Sequence, residues 1–443
     1  MNNTISPEQQ TEMIEFLEKL IAVPSLKGEP NEGAPFGVET RKALDLFLAH
    51  AETLGFRTKD LDGYCGWAEF GPEDAPLIMG ICHLDVVPAL GWDDAYEMKI
   101  ADGKIVGRGS IDDKGPAVSV LYALKQLMDE GYESPCRLRI LVGLDEESGS
   151  ACMKYYNEHA EAPVAAFTSD ADFPVIHAEK GHLNFDLVWS SEDSNKGSTV
   201  NLVKAVAGSR ANVIPGECDI VWEGKDGTRH TEQIVGRMGH ASTPWLSENA
   251  ISKAMEYLYD MAVPEEIDPF VRDYHQVIGM DYSGTGLGIS GSDEDSGALT
   301  LNVGIINFDK DSGEARITCD VRYPVTWKAD ELSEKIRSSL NGTGFAYEEI
   351  GISLPLYRPK DDPLVKVLQS IYNGYVGENT EPIAIGGGTY ARSVPNTVAF
   401  GPCFPGEESL AHQKNEYILE KTFFDSCVIY REAFRSLAKQ YAK

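Results

Sequence analysis

The chain has 443 residues, which leaves room for two or three domains and a sizeable core. Its 70 acidic residues against 39 basic ones give a formal net charge of −31, which repels phosphate backbones and anionic lipid and argues against nucleic acid and membrane surfaces as partners. A hydrophobic fraction of 42% with 9% aromatics excludes a largely disordered chain.

In chain order, Ser6-Pro7-Glu8-Gln9 is a capping box with proline at the first helical position, and Met13, Ile14, Leu17, Leu20 and Ile21 form one apolar face behind it. Val38 to Leu54 is a second amphipathic helix with Gly55 as its stop. Short apolar runs at Leu77–Cys82, Leu138–Leu144 and Val164–Thr168 predict buried strands, with a helix at Pro116–Met128 between the first two. Alternating strands and helices predict an α/β domain with a mostly parallel, doubly wound sheet.

The pattern changes near Gly181. Leu183, Phe185, Leu187 and Trp189 alternate with their neighbours, as in a half-solvated antiparallel strand. Strands are predicted at Asp219–Trp222, Leu299–Ile306 and Ala315–Tyr323, and helices at Ser247–Met261 and Ala329–Leu340. The α/β character returns near Pro359, with helices at Pro363–Tyr375 and Leu419–Tyr441. The expected organisation is one α/β domain of residues 1–181 and 359–443, interrupted by an α+β insert of residues 182–358.

The acidic residues and histidines fall at particular places. His83-Leu84-Asp85 follows the run ending at Cys82, Asp145-Glu146-Glu147 follows Leu144, and Asp170 follows Thr168-Ser169. Asp112-Asp113 follows a Gly-Arg-Gly loop and precedes a helix. Each fragment has an ordinary structural explanation alone: a solvated acidic turn, a His–Asp pair, a helix cap. Together they lie beyond the carboxyl ends of strands, where open α/β sheets bind ligands, and several strand ends delivering His, Asp and Glu to one edge is the arrangement of a metal site.

The segments GICHLDVVP, GRGSIDDKGP, LDEESGS, TSDADFPVIHAEKG and AHQKNEY, in this order, resemble the dinuclear metallopeptidases that include aminoacylase, carboxypeptidase G, carnosinase and succinyl-diaminopimelate desuccinylase, and within them the PepV-type dipeptidases. That resemblance implies two divalent metal ions per chain. His83 and Asp170 would ligate one, Glu147 and His412 the other, and Asp112 would bridge them. Imidazole and carboxylate ligands suit zinc, cobalt or manganese, with zinc the first expectation. Asp85 would hold the second imidazole nitrogen of His83, and Glu146 would be the general base.

In the insert, which the resemblance makes an extended ferredoxin-like lid, Arg237-Met238-Gly239-His240-Ala241-Ser242 resembles the segment whose histidine donates to the tetrahedral oxyanion. Asn212 and Arg322 resemble substrate-lining residues, and a guanidinium suits bidentate capture of a substrate carboxylate. Gly386-Gly387-Gly388-Thr389 lacks the Lys-Ser/Thr of a P-loop and by itself reads as a tight loop; the resemblance implies that Gly387, Gly388 and Thr389 line the substrate, where exposed backbone N–H groups can hold a carboxylate. Ala95-Tyr96 and Lys414 depart from the family pattern, neither at an inferred ligand.

The expected activity is hydrolysis of unblocked dipeptides by an active monomer, the partner being a small peptide substrate. An N-acyl amino acid amidohydrolase or desuccinylase with the same centre is the nearest alternative; a non-catalytic metal scaffold and a nucleotide binder stand further off. No signal peptide is visible in MNNTISPEQQTEM, no apolar run approaches a membrane span, and the eight cysteines form no CxxC pair. A cytoplasmic location is therefore expected.

Overall fold

The computed structural model describes residues 5–190 and 198–442; residues 191–197 of the expected insert, and the outermost residues of the expected domain ranges, lie outside them. Two compact units are present: Met1–His177, Arg358–Ile383 and Gly388–Lys443 form the first, and Ala178–Tyr357 with Ala384–Gly387 the second. The segment Ala384–Gly387 groups with the second unit, where Ile385 O accepts the Lys180 amide at 3.0 Å.

In the first unit the sheet runs in the order Arg57–Leu61, Cys65–Phe70, Arg137–Gly143, Leu77–His83, Ala165–Thr168, Thr397–Phe400, Val175–Glu179. Its four central strands, from Arg137–Gly143 to Thr397–Phe400, are parallel, and both flanks are antiparallel. The sheet is thus mixed, because Arg57–Phe70 is a hairpin closed by a short turn, which can only return antiparallel. Every residue of Leu77–His83 is buried, as a strand covered on both faces must be. Gly80 at its centre admits close packing from helices Lys114–Asp129 and Glu420–Gln440: a Cβ there would lie 2.7 Å from Val120 and 3.0 Å from Phe434. Ser119 Oγ ties the two helices by donating to Phe423 O at 2.8 Å. Ser6 caps the first helix, Pro7–Ile21, accepting from Gln9 N.

The second unit carries a seven-stranded sheet in the order Arg229–Val235, Glu217–Gly224, Val200–Ala207, Thr300–Asp309, Glu314–Tyr323, Gly181–Trp189, Phe345–Ser353. Every neighbouring pair is antiparallel. Helices Ala250–Tyr259, Pro269–Val277 and Ala329–Ser339 share a buried core with the apolar residues of these strands, among them Leu183, Phe185, Leu301, Val303, Cys319 and Val321. The helix expected at Ser247–Met261 is shorter because Asn249 caps it: its Oδ1 accepts from Ile251 N and Ser252 N, and a 3₁₀ turn, Pro244–Leu246, precedes it.

Candidate metal centre and active site

Parallel register brings the site together. His83 pairs with Gly143, so the residues after Gly143 emerge beside His83. Ile81 pairs with Thr168, which sets Asp170 level with His83 on the other side. The loop before helix Lys114–Asp129 adds Asp112.

Asp112 lies between the two histidines. Its Oδ1 is 2.9 Å from His83 Nε2 and its Oδ2 is 2.8 Å from His412 Nε2. His412 Nε2 is also 3.1 Å from Glu147, and His83 Nε2 is 3.8 Å from Asp170. Ligand atoms of His83, Asp112 and Glu147 lie within 4.8 Å of one another, as do those of His83, Glu146 and Asp170. The sequence-derived donors thus meet in one cluster, with Glu146 among them. His412 holds a left-handed backbone, φ 64°, and is half exposed, whereas His83 is fully buried.

The electrostatics follow from crowding acids out of water. Burial, reinforced by Asp170, pushes the Glu146 carboxyl well above the usual carboxylate range. Burial, reinforced by Asp112, pushes Asp170 up to about 7. Burial also raises Asp112, but His412 and His83 outweigh it and hold that carboxylate well below the ordinary value. His412 is raised to about 11 by Asp112 and Glu147.

The donor set fits a cation. His83 Nδ1 lies 2.9 Å from the Asp85 carbonyl oxygen, an acceptor only, so it donates there and in the neutral ring the lone pair is on Nε2. Nε2 is buried, makes no hydrogen bond, and faces Asp112 and Asp170. A lone pair facing carboxylate oxygens is repelled unless a positive charge lies among them. Asp85 meets the second imidazole nitrogen of His83. Its backbone carbonyl takes the Nδ1 proton, and its carboxylate, 3.4 Å from Nδ1, accepts the amides of Glu146 at 3.2 Å and Glu147 at 3.1 Å. Asp85 therefore sets the backbone of both glutamates.

Several supporting residues escaped the sequence reading. Glu416 is fully buried; its Oε1 accepts from the amides of Gly109, Ile111 and Asp112 at 2.9, 3.1 and 3.3 Å, and its Oε2 pairs with Arg108. Asp113 Oδ2 accepts the His83 amide at 3.0 Å. Lys114 Nζ donates to Leu20 O and Val23 O at 2.9 and 2.7 Å, anchoring the loop to the end of the first helix. Their only sequence signal was position, within four residues of His412 or Asp112.

In the second unit, Val213 pairs with His240 on a two-residue ladder, and Asn212 O accepts the Ala241 amide at 3.0 Å, so Asn212 and His240 stand together, both exposed. Ser242 N, which can only donate, lies 3.2 Å from His240 Nδ1, with Ser242 Oγ at 2.7 Å. Nδ1 is therefore the acceptor, and the proton of the neutral ring is on Nε2. Arg322 departs from the expected open clamp. It is buried, its Nε and Nη2 are bidentate on Asp320 at 2.6 and 3.0 Å, and Nη1 donates to Gly386 O at 3.0 Å. A protein carboxylate occupies the fork. Thr389 Oγ1 accepts from Ala391 N at 3.1 Å, capping the turn Tyr390–Arg392, and the chain passes from the second unit to the first between Gly387 and Gly388.

Imidazoles and carboxylates gathered at the carboxyl edge of a mixed sheet make a candidate cation centre. The chain belongs to the family described as Peptidase family M20/M25/M40, whose model matches residues 81–436. It is a peptidase, and membership implies divalent metal ions. The chain is 35% identical to "Putative dipeptidase YtjP" of Bacillus subtilis (strain 168), covering 97% of this chain and 98% of that protein. It is 33% identical to a Staphylococcus epidermidis protein named "Putative dipeptidase", with the same coverages. Among solved structures, human carnosine dipeptidase 1 matches with a TM-score of 0.60 at 14% identity, covering 97% of this chain and 96% of that one. The aminoacylhistidine dipeptidase of Vibrio alginolyticus matches with a TM-score of 0.58 at 14% identity, covering 97% of each. These two share the fold. No helix among the described residues is long and apolar enough to cross a membrane.

Proposed function

We propose that this peptidase hydrolyses unblocked dipeptides, using two divalent metal ions held by His83, Asp112, Asp170, Glu147 and His412. The carrying observation is Asp112, with one carboxylate oxygen at each imidazole, which is the disposition of a bridging ligand. The names of the relatives above 30% identity support the dipeptide class. Zinc is proposed first, with manganese or cobalt compatible with the same donors.

When bound, the ions supply Lewis acidity to the scissile carbonyl and acidify the attacking water. Glu146 takes the proton from the attacking water and returns it to the leaving amine. His240, with its proton on Nε2, donates to the oxyanion. Asn212 and the Gly387–Thr389 segment contact the substrate, and Arg322 contributes through Gly386 rather than as an open fork. The proposed working form is a monomer in the cytoplasm, a setting supported by eight free, buried cysteines.

The test is turnover of free dipeptides, C-terminally amidated dipeptides, tripeptides and N-acetyl amino acids, with zinc, manganese and cobalt supplied separately. Free dipeptides are expected to be the best substrates, with amidation and N-acetylation both costly. Faster turnover of acylated amino acids than of every free dipeptide would replace this reading by an amidohydrolase.

A further inference from the structure

The sheet of the second unit has two faces with opposite chemistry. Leu301, Val303, Cys319, Val321 and Leu183 belong to the apolar core shared with the helices. Strand periodicity turns their neighbours Thr300, Asn302, Asp320, Arg322 and His182 to the other face. Register sets these polar residues side by side: Thr300 opposite Arg322, Asn302 opposite Asp320, and His182 opposite Arg322. Thr300, Asn302, Asp320 and Arg322 are all buried. Four buried polar side chains on the face away from the helices call for partners, and the partners are instructive.

Asn302 Nδ2 donates to Ala211 O at 2.8 Å and to Val213 O at 3.0 Å, the carbonyls on either side of Asn212. Its Oδ1 accepts from Asn249 Nδ2 at 2.9 Å, and Asn249 is anchored as the helix cap. Both donors and the acceptor of Asn302 are thus committed to one geometry. Thr300 Oγ1 donates to Ala241 O at 3.2 Å, the residue after His240. Gly304, on the same strand, lets the turn come down onto the sheet: a Cβ there would be 2.4 Å from Ala211 O. The ladder carrying Asn212 and His240 is short and its side chains are exposed, so its own two residues per strand cannot fix it.

We propose that Asn302 is a positioning residue for the proposed hydrolysis, holding Asn212 and His240 in place from behind through the backbone carbonyls of Ala211 and Val213, with Thr300 assisting at Ala241. The inference rests on the roles proposed above for Asn212 and His240. Asn302 never meets substrate; it acts by making one conformation of the ladder far more populated than others.

The experiment is a kinetic double-mutant cycle on the full-length, metal-loaded enzyme with the best dipeptide found. Asn302→Leu removes the donors at similar volume, and Asn302→Asp keeps the shape and one acceptor while turning oxygen toward two carbonyls. Thr300→Val is an isosteric variant that retains the fold if both Asn302 variants misfold. Ser333→Ala, at a buried hydroxyl that bonds Tyr347 on the far side of this unit, is the structural control. The expected result is a fall in kcat of about 10- to 100-fold for Asn302→Leu, the range seen when groups that orient functional side chains are removed. KM should move less than about threefold, metal content should be unchanged, and Thr300→Val should show a smaller fall of the same kind. In a background that lacks both targets, His240→Ala combined with Asn212→Ala, either substitution should lower kcat by less than about threefold more, because a positioning effect needs its target.

The proposal is overturned if the falls are equal with and without the two targets, His240 and Asn212, or if the Ser333→Ala control loses kcat to the same extent. If neither His240→Ala nor Asn212→Ala changes kcat, the proposed roles of these two residues fail first and Asn302 loses its targets. Normal effects at His240 and Asn212, with Asn302 and Thr300 effects additive to them, sink the positioning role alone.

Discussion

The two units gather polar groups by opposite constructions. In the first, charged side chains gather at the carboxyl edge of buried parallel strands and, His412 apart, are themselves largely buried; His83 has no exposed surface, and Asp112, on the loop before a helix, retains 12% of its side chain. In the second, His240 and Asn212 are exposed on and beside a two-residue ladder, while the buried polar groups Thr300, Asn302 and Asp320 lie behind them on the sheet. Burial does different work in each place. Crowding carboxylates away from water raises their demand for positive charge, which suits cation binding. In the roles proposed above, the donor that meets substrate stays accessible, and burial falls on the groups proposed to orient it.

This comparison breaks most easily at Asp112. Asp112→Ala removes the one carboxylate shared by both imidazoles, so metal content should fall for both ions and turnover by about 10³-fold or more, several kcal/mol of charge stabilisation being lost. Elemental analysis finding two metals per chain in this variant would show that Asp112 does not bridge. Glu146→Gln separates ligand from base. Turnover should fall by about 10²–10⁴-fold with metal content near that of the parent. Because Glu146 also lies within ligand distance of His83 and Asp170, loss of a metal in this variant would make it a ligand instead.

The same contrast explains which parts of the molecule were legible in the sequence and which were concealed. Strand Leu77–His83 and the acids after Gly143 were legible because a fully buried strand leaves an unbroken apolar run, and the residues just past its end stand at the sheet edge. Strands Arg229–Val235 and Phe345–Ser353 left little trace because they lie at the two edges of the second sheet, where exposed faces need no apolar alternation. Helix Pro269–Val277 did carry a signal, Asp268 as cap with proline at the first position, but its nine residues gave too short a periodic run. The pairing of Arg322 with Asp320 follows from period two, which puts both on one face of Glu314–Tyr323. Glu416 had no pattern to reveal it: its partners are amides some three hundred residues earlier, brought near only by the tertiary fold.

At His240 the comparison predicts a purely kinetic defect. His240→Ala should lower kcat by about 10²–10³-fold, with a smaller change in KM, because an oxyanion donor acts mainly in the transition state. Metal content should not change, since His240 belongs to the second unit and the clustered ligands to the first. Activity regained on mixing and re-equilibrating His240→Ala with Glu146→Gln chains would show a site shared between subunits and end the monomer reading.

The smallest effect is expected at Glu416, and it tests whether burial in the first unit organises the centre or merely surrounds it. The parallel strands place His83, Glu147 and Asp170 directly, but Asp112 stands on a loop that no sheet register fixes. What fixes that loop is the buried Glu416 carboxylate, which collects three of its amides on one oxygen and Arg108 on the other. Glu416→Gln keeps the shape but puts an amide donor against donors on one side, so the loop loosens without losing a ligand. Metal affinity should weaken by about 10- to 100-fold, while turnover at saturating metal stays within a few-fold of the parent. Glu416→Ala goes further, leaving the Arg108 guanidinium buried without its carboxylate, a change that costs about 3–5 kcal/mol and should show as a lowered melting temperature. A metal titration in which Glu416→Gln binds as tightly as the parent would mean that His83 and His412 alone draw Asp112 into place, and that the carboxylate behind the loop serves stability only.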